Sequence, residues 1–186
     1  MFETAALRYS ELGRMLRRVG GIPVWLDTLN TADRVNLLEL YGRSVMLLEL
    51  GRAGEWVDLF VPNALVRCGS QQFHGRSELL ILARRMVAGE FDLTVGELTP
   101  PLRCRHSLSD VSLFADGASG ASGYAHLSVS TLDDAGSPRW LASGTYSDKL
   151  SKCGAGCWRF DSRLLTSGSA QTLQPAHHGS VRPATS

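Results

Sequence analysis

Helical periodicity stops near residue 90, and this break constrains the fold more than any single motif. Upstream, apolar residues recur every three or four positions. From Phe91 onward they alternate with polar residues, in runs bounded by turn chemistry. Residues 3–19 place Leu7, Leu12, Met15, Leu16 and Val19 near one helical face, ended by Gly20-Gly21 and Pro23. A stronger helix starts at a cap on Asn30 or Thr31, with Asp33 in its first turn and Leu37, Leu38, Tyr41, Val45 and Leu48 as its apolar residues. A short helix from Glu55 to Phe60 is broken by Pro62-Asn63. A short strand over Ala64 to Cys68 and a loop holding Phe73, His74 and Gly75 follow, and Ser77 caps a helix reaching about Ala88. The alternating runs lie at about 91–98, 104–115, 123–132, 139–151 and 157–166.

Helices first and a meander second predict an α+β fold. Three or four N-terminal helices should pack on a strongly curved, mainly antiparallel sheet, making a cone-shaped body open at one end. That opening suits a small apolar ligand. The boundaries read as an N-terminal helical extension at 1–29, a folded domain at 30–166, and a disordered tail at 167–186 rich in Ser, Gly, Pro, Ala and Gln.

The 186 residues carry a net charge of +1 with no basic run, which gives no electrostatic footprint for nucleic acid. Only Lys149 and Lys152 are lysines, a bias expected of a GC-rich bacterial genome. No uninterrupted apolar segment marks a secretory signal or a membrane span, so a cytoplasmic location with reduced cysteines is expected. Cys153 and Cys157 lack the paired second knuckle of a metal site and are expected to be free thiols. No metal or cofactor is implied.

Side-chain alternation sorts the chemistry. It groups His106, Leu108, Asp110, Ser112 and Phe114 on one strand face; Tyr124, His126, Ser128 and Ser130 on another; and Trp140, Ala142, Gly144, Tyr146, Asp148 and Leu150 on a third. In the last strand Trp158, Phe160 and Ser162 should oppose Arg159, Asp161 and Arg163. An imidazole moves protons near neutral pH, and a nearby carboxylate stabilises its charged form. His106, with Glu49 at the end of the long helix and His126 and Tyr146 on strands, is therefore the candidate catalytic set. Tyr41, Trp56, Phe60, Asp110, Tyr124 and Trp158 are candidate substrate contacts. Asp110 and Asp148 can also serve structurally, by pairing with Arg105 or Arg163.

The order Met46-Leu47-Leu48-Glu49, Glu55-Trp56-Val57-Asp58-Leu59-Phe60, Phe73-His74-Gly75-Arg76, Arg105-His106, Ser143-Gly144-Thr145-Tyr146-Ser147-Asp148, Gly156-Cys157-Trp158-Arg159-Phe160 and Arg163 resembles the SnoaL-like branch of the nuclear-transport-factor-2-like superfamily. That branch holds polyketide cyclases and scytalone-dehydratase-like and bile-acid-dehydratase-like enzymes. The resemblance covers about 32–166 and implies a cone-shaped fold, with a homodimer or homotrimer built through the sheet. It also implies an acid near the end of the long helix working with the His of the Arg-His pair, positions held here by Glu49 and His106. His126 falls about where a second site His or Asp belongs. Three departures stand out: Glu replaces Asp, Ser44 stands where a Tyr is common with Tyr41 one turn earlier, and Asp110 replaces an Asn.

The expected function is a cofactor-independent lyase or isomerase acting on a polycyclic or hydroaromatic small molecule. The alternative is a non-catalytic scaffold or ligand-binding protein like the β subunits of aromatic-ring-hydroxylating dioxygenases, which LLELGRAGEW and the spacing from Pro100-Pro101 to Arg105-His106 resemble. A limonene-epoxide-hydrolase-like reaction is disfavoured, because its Asp-Arg-Asp arrangement cannot be assigned.

Overall fold

The computed structural model describes residues 16–19, 22–25, 29–88, 104–132, 136–154 and 156–168. Leu16–Val19 (β1) and Ile22–Trp25 (β2) pair as an antiparallel hairpin. The helix expected over 3–19 therefore does not reach residues 16–19, and its earlier part lies outside the described residues. The register Val19↔Ile22 leaves only two residues between the strands, and the Gly20-Gly21 dipeptide there favours a tight hairpin over a helix end.

Thr31–Glu49 forms α1, and Ala53–Val57 forms α2. Asn30 caps α1 by accepting a hydrogen bond from the Asp33 N–H at 2.8 Å. Phe60–Cys68 (β3) and Gln71–His74 (β4) follow, then Gly75–Val87 (α3). β3 starts earlier than expected, taking Phe60 out of the short helix, and His74 lies in a strand rather than a loop. The long strands are Arg105–Ala115 (β5), Gly120–Leu132 (β6), Pro138–Gly154 (β7) and Cys157–Gly168 (β8). The strand expected at 91–98 lies outside the described residues.

Six strands make one curved sheet in the order β4-β3-β8-β7-β6-β5, antiparallel except where β3 meets β8. This is the expected α+β architecture. α1 crosses β5 and β8, and α3 lies on β3. The buried side of α1 is Leu37, Leu40, Tyr41, Ser44, Leu47 and Leu48; Leu38, expected among them, is exposed instead. Among the described residues no helix is long and apolar enough to cross a membrane.

Among the irregularities of the sheet, three overturn the faces expected from alternation. Ser109 pairs with His126 but Ser112 pairs with Tyr124, so β5 spends an extra residue at Asp110–Val111, where Asp110 has φ 51°. Beyond that bulge Leu113 is buried, while Ser112 pairs with Tyr124 and Phe114 with Ser122 on the outer side. β7 holds an extra residue between Trp140 and Ala142, which turns Trp140 outward to 71% exposure. β8 holds one at Asp161, between Phe160↔Leu150 and Ser162↔Lys149. Because the side-chain period is two, each added residue swaps the faces beyond it. The faces expected for Asp110, Ser112, Phe114, Trp140, Ser162 and Arg163 are overturned for this reason.

Cys153 and Cys157 form a disulfide, contrary to the expected free thiols, because the β7–β8 hairpin brings their Cα atoms to 5.2 Å. Cys68 and Cys104 are free. Nearby, Lys152 Nζ and Trp158 Nε1 donate to Asp33 at 2.8 and 3.0 Å, tying the hairpin to the first turn of α1. Those two bonds hold the Asp33 carboxyl below its usual range.

Gly123 lies under the Tyr41 hydroxyl, with which a Cβ would collide, and against a Leu113 methyl that would have to give slightly. Gly123→Ala should lower unfolding stability by about 1–3 kcal/mol in denaturant titrations. Gly54→Ala, whose Cβ would meet open space, should change it by less than about 1 kcal/mol.

Candidate functional site

The inner face of the sheet under α1 carries Gly123 on β6, Tyr146 and Asp148 on β7, and Phe160 and Arg163 on β8. The Arg163 Nε and its terminal nitrogen donate to the two Asp148 oxygens, both at 2.9 Å, with side-chain exposures of 3% and 0%. This pairing is one that the sequence offered. The guanidinium carbon lies 4.0 Å from the Tyr146 ring centroid, 4.1 Å from that of Phe160 and 5.6 Å from that of Tyr41. Tyr41 meets Phe160 edge-on at 5.4 Å, and Trp56, Phe60 and Phe160 continue the aromatic chain at 4.5 and 5.2 Å.

Both tyrosines stay protonated at neutral pH. Burial, foremost, pushes the Tyr146 hydroxyl up to about 12, with Arg163 opposing and Asp148 adding. Burial and then the Asp148 charge push Tyr41 up as well. The Tyr41 hydroxyl and the Trp56 indole nitrogen are buried without a hydrogen-bond partner among the described residues. Such orphaned groups are uncommon in folded proteins.

His106 sits near the start of β5, opposite inward-facing Val129, and is half-buried. Its Nδ1 is a third buried atom without a partner among the described residues. The Glu49 carboxylate is close, but it accepts the backbone N–H of His106 at 2.7 Å. Arg105 approaches the same carboxylate at 4.0 Å. Burial lowers the His106 pKa below 6.5, and the Glu49 charge partly offsets the shift.

The sequence-predicted set divides. His106 and Glu49 meet at one end of the inner face, opposite Val129. Tyr41, Tyr146, Trp56 and Phe60 gather around Arg163 and Phe160 further along it, with the Tyr41 hydroxyl over Gly123, six residues from Val129 on β6. His126 does not join them: it lies between Ser109 and Thr145 on the outer face, exposed, beside an open groove of about 240 Å³ with Ser128, Ser143 and Thr166. Ala125, Leu127 and Val129 take the inner side of that strand, so period-two geometry leaves His126 facing out. Tyr124 shares the outer face, its ring 6.2 Å from Phe114. Asp110 is exposed at the bulge, with Ser109 Oγ donating to it at 3.2 Å. Trp158 is buried, but its indole N–H is taken by Asp33. Sequence reasoning missed Arg163 as an inward group. The one available signal was its possible pairing with Asp148.

The His106 shift has a definite sign. The fold favours neutral imidazole, so this group's contribution to stability is full above pH 6.5 and falls as pH drops toward the lowered folded value. His106 should titrate below 6.5 by NMR, and lower still in Glu49→Gln, which removes the opposing charge. A midpoint above 6.5 would contradict this environment. Asp148→Asn, which leaves the guanidinium buried and unpaired, should cost about 3–5 kcal/mol in urea unfolding.

The model of the SnoaL-like domain family matches residues 30–164. No curated protein matches the chain in sequence. Among solved structures, Aln2 from a Streptomyces species superposes with a TM-score of 0.63 at 18% identity, over 75% of this chain and 93% of that one. A nuclear-transport-factor-2-like protein with a cystatin-like fold from Novosphingobium aromaticivorans gives 0.58 at 19% identity, over 92% and 96%. A scytalone-dehydratase-like protein from the same organism gives 0.57 at 18%, over 73% and 84%. At these identities the likeness is one of fold. With the family model spanning most of its length, the chain belongs to the SnoaL-like domain family, on the nuclear-transport-factor-2-like fold.

Proposed function

We propose that this protein is a cofactor-independent lyase or isomerase, of dehydratase or cyclase type, acting on a polycyclic or hydroaromatic small molecule. The observation that carries the reading is the His106 imidazole: inward, held neutral by burial, with a buried Nδ1 that no described residue occupies. A neutral imidazole is the form that accepts a proton.

His106 takes a proton from a carbon beside a substrate carbonyl. The C–H electron pair enters the carbonyl and makes an enolate, and the protonated Tyr146 hydroxyl stabilises its oxygen. Collapse of the enolate expels a β-hydroxyl, which leaves as water with the proton returned by the imidazolium. Return of that proton to a different carbon gives isomerisation instead. Glu49 plays two parts: its hydrogen bond to the His106 backbone fixes the start of β5, and its charge favours the transient imidazolium. His126 has no part in the step, given its outward position.

A second reading, a non-catalytic scaffold or ligand-binding protein, is favoured by one observation: the Glu49 carboxylate is bonded to backbone rather than to the imidazole. The readings separate in heavy water with a panel of hydroaromatic β-hydroxy ketones. The enzyme should exchange the acidic C–H or release water, and His106→Ala should lower that rate by about 10²–10⁴-fold while retaining ligand affinity. An unchanged rate in His106→Ala would remove the catalytic assignment. Co-purification with an iron-sulfur large subunit, without exchange, would favour the scaffold.

A further inference from the structure

α1 is apolar on two opposite sides. Its inner side packs on the sheet. Its outer side carries Val35, Leu38, Gly42, Met46 and Leu50, spaced three, four, four and four residues apart, which keeps them in one stripe along the helix. The four large residues of that stripe are 48%, 43%, 47% and 60% exposed. They are half of the large hydrophobics exposed among the described residues, gathered on one helix rather than scattered. Val87, also exposed, lies beside Gly51 and carries the stripe onto the end of α3.

We propose that this stripe is the contact surface for a second copy of the same chain, joined as an antiparallel pair of α1 helices about a twofold axis near Gly42. Three features fit a copy of itself. Gly42 has open space where a Cβ would stand, so two backbones can approach closely at the centre. Inverting the helix about residue 42 sets Met46 level with the partner's Leu38, and Leu50 within one residue of the partner's Val35. Glu39 and Arg43 share one flank of the stripe, and both are exposed with no ion pair among the described residues. Across the twofold, Glu39 of each copy lies about 3 Å along the axis from Arg43 of the other, giving two reciprocal ion pairs. The strip is about 22 Å long and one helix wide, smaller than the roughly 800 Å² per partner of a standard interface. The dimer is therefore reversible and concentration-dependent. This surface is separate from the sheet face that the family resemblance implies for assembly.

Sedimentation equilibrium of the full chain over a range of concentrations tests the pairing. Whatever its mass at low concentration, 20.2 kDa or a multiple built through the sheet, wild type should shift toward twice that value as concentration rises. Leu38→Glu and Met46→Glu should each raise the dissociation constant at least about tenfold while leaving the far-ultraviolet spectrum unchanged, because both positions are exposed. Glu39→Arg and Arg43→Glu should each weaken the dimer, and the doubly swapped chain should recover it. Three results would overturn the proposal: a wild-type mass that does not change with concentration, a concentration-dependent doubling that survives Leu38→Glu and Met46→Glu, or a stripe shielded from hydrogen exchange by the chain's own residues 3–15.

Discussion

The buried Asp148–Arg163 pair fixes the inner face of the sheet, because two charges almost wholly withdrawn from water tolerate no other arrangement. Its net contribution to stability is modest, since desolvation offsets most of the attraction. What it supplies is register. β7 and β8 meet directly at Asp148↔Arg163, just past the extra residue at Asp161. Sliding either strand by one residue would send one charge outward and leave the other buried alone. The pair thereby pins the bulge, and with it the positions of Phe160 and Tyr146 against the guanidinium. Tyr41 on α1 completes that cluster, so helix and sheet are tied at the level of single side chains.

Much of the architecture was legible because it rests on periodicity and turn chemistry. α1 follows from Asn30, Asp33 and an apolar repeat; the four long strands follow from alternation broken at Asp116-Gly117, around Pro138 and at Gly154 to Gly156. What stayed hidden were positions where one extra residue enters a strand. Asp110, the residue before Ala142 and Asp161 carry no composition that announces a bulge, yet each reverses the faces beyond it. His106 was placed correctly because it precedes the β5 bulge. Ser112, Phe114, Trp140 and Arg163 were misplaced because they lie across one. His126 shares a face with Tyr124, Ser128 and Ser130 as alternation grouped it, but whether the core takes the odd or even residues of that regular strand depends on tertiary packing. The Cys153–Cys157 bond depended likewise on hairpin register, which spacing alone does not reveal.

The relation between Glu49 and His106 shows how a correct pairing of residues can hide a different contact. Order along the chain brings the two together, at the C-terminal end of α1 and the start of β5. The carboxylate then binds the main chain, not the ring. A carboxylate bonded to imidazole would raise its basicity and fix its tautomer. One bonded to the peptide instead fixes where the ring stands, and acts on its charge only through space. Burial therefore dominates the His106 pKa, and Glu49 moderates it.

That division bears on the chemistry a site of this kind can perform. A base held neutral by desolvation keeps its proton affinity modest, so it suits protons already acidified by a neighbouring carbonyl and not those of unactivated carbon. The hydroxyl offered to the developing oxyanion is that of Tyr146, whose own proton is secured by the same desolvation. Arg163 would have been the stronger oxyanion partner, but Asp148 consumes both of its facing nitrogens. The inner face thus offers neutral donors rather than a free cation. It therefore favours reactions in which charge is transient and spread over an enolate, over those that must hold a full anion in the ground state.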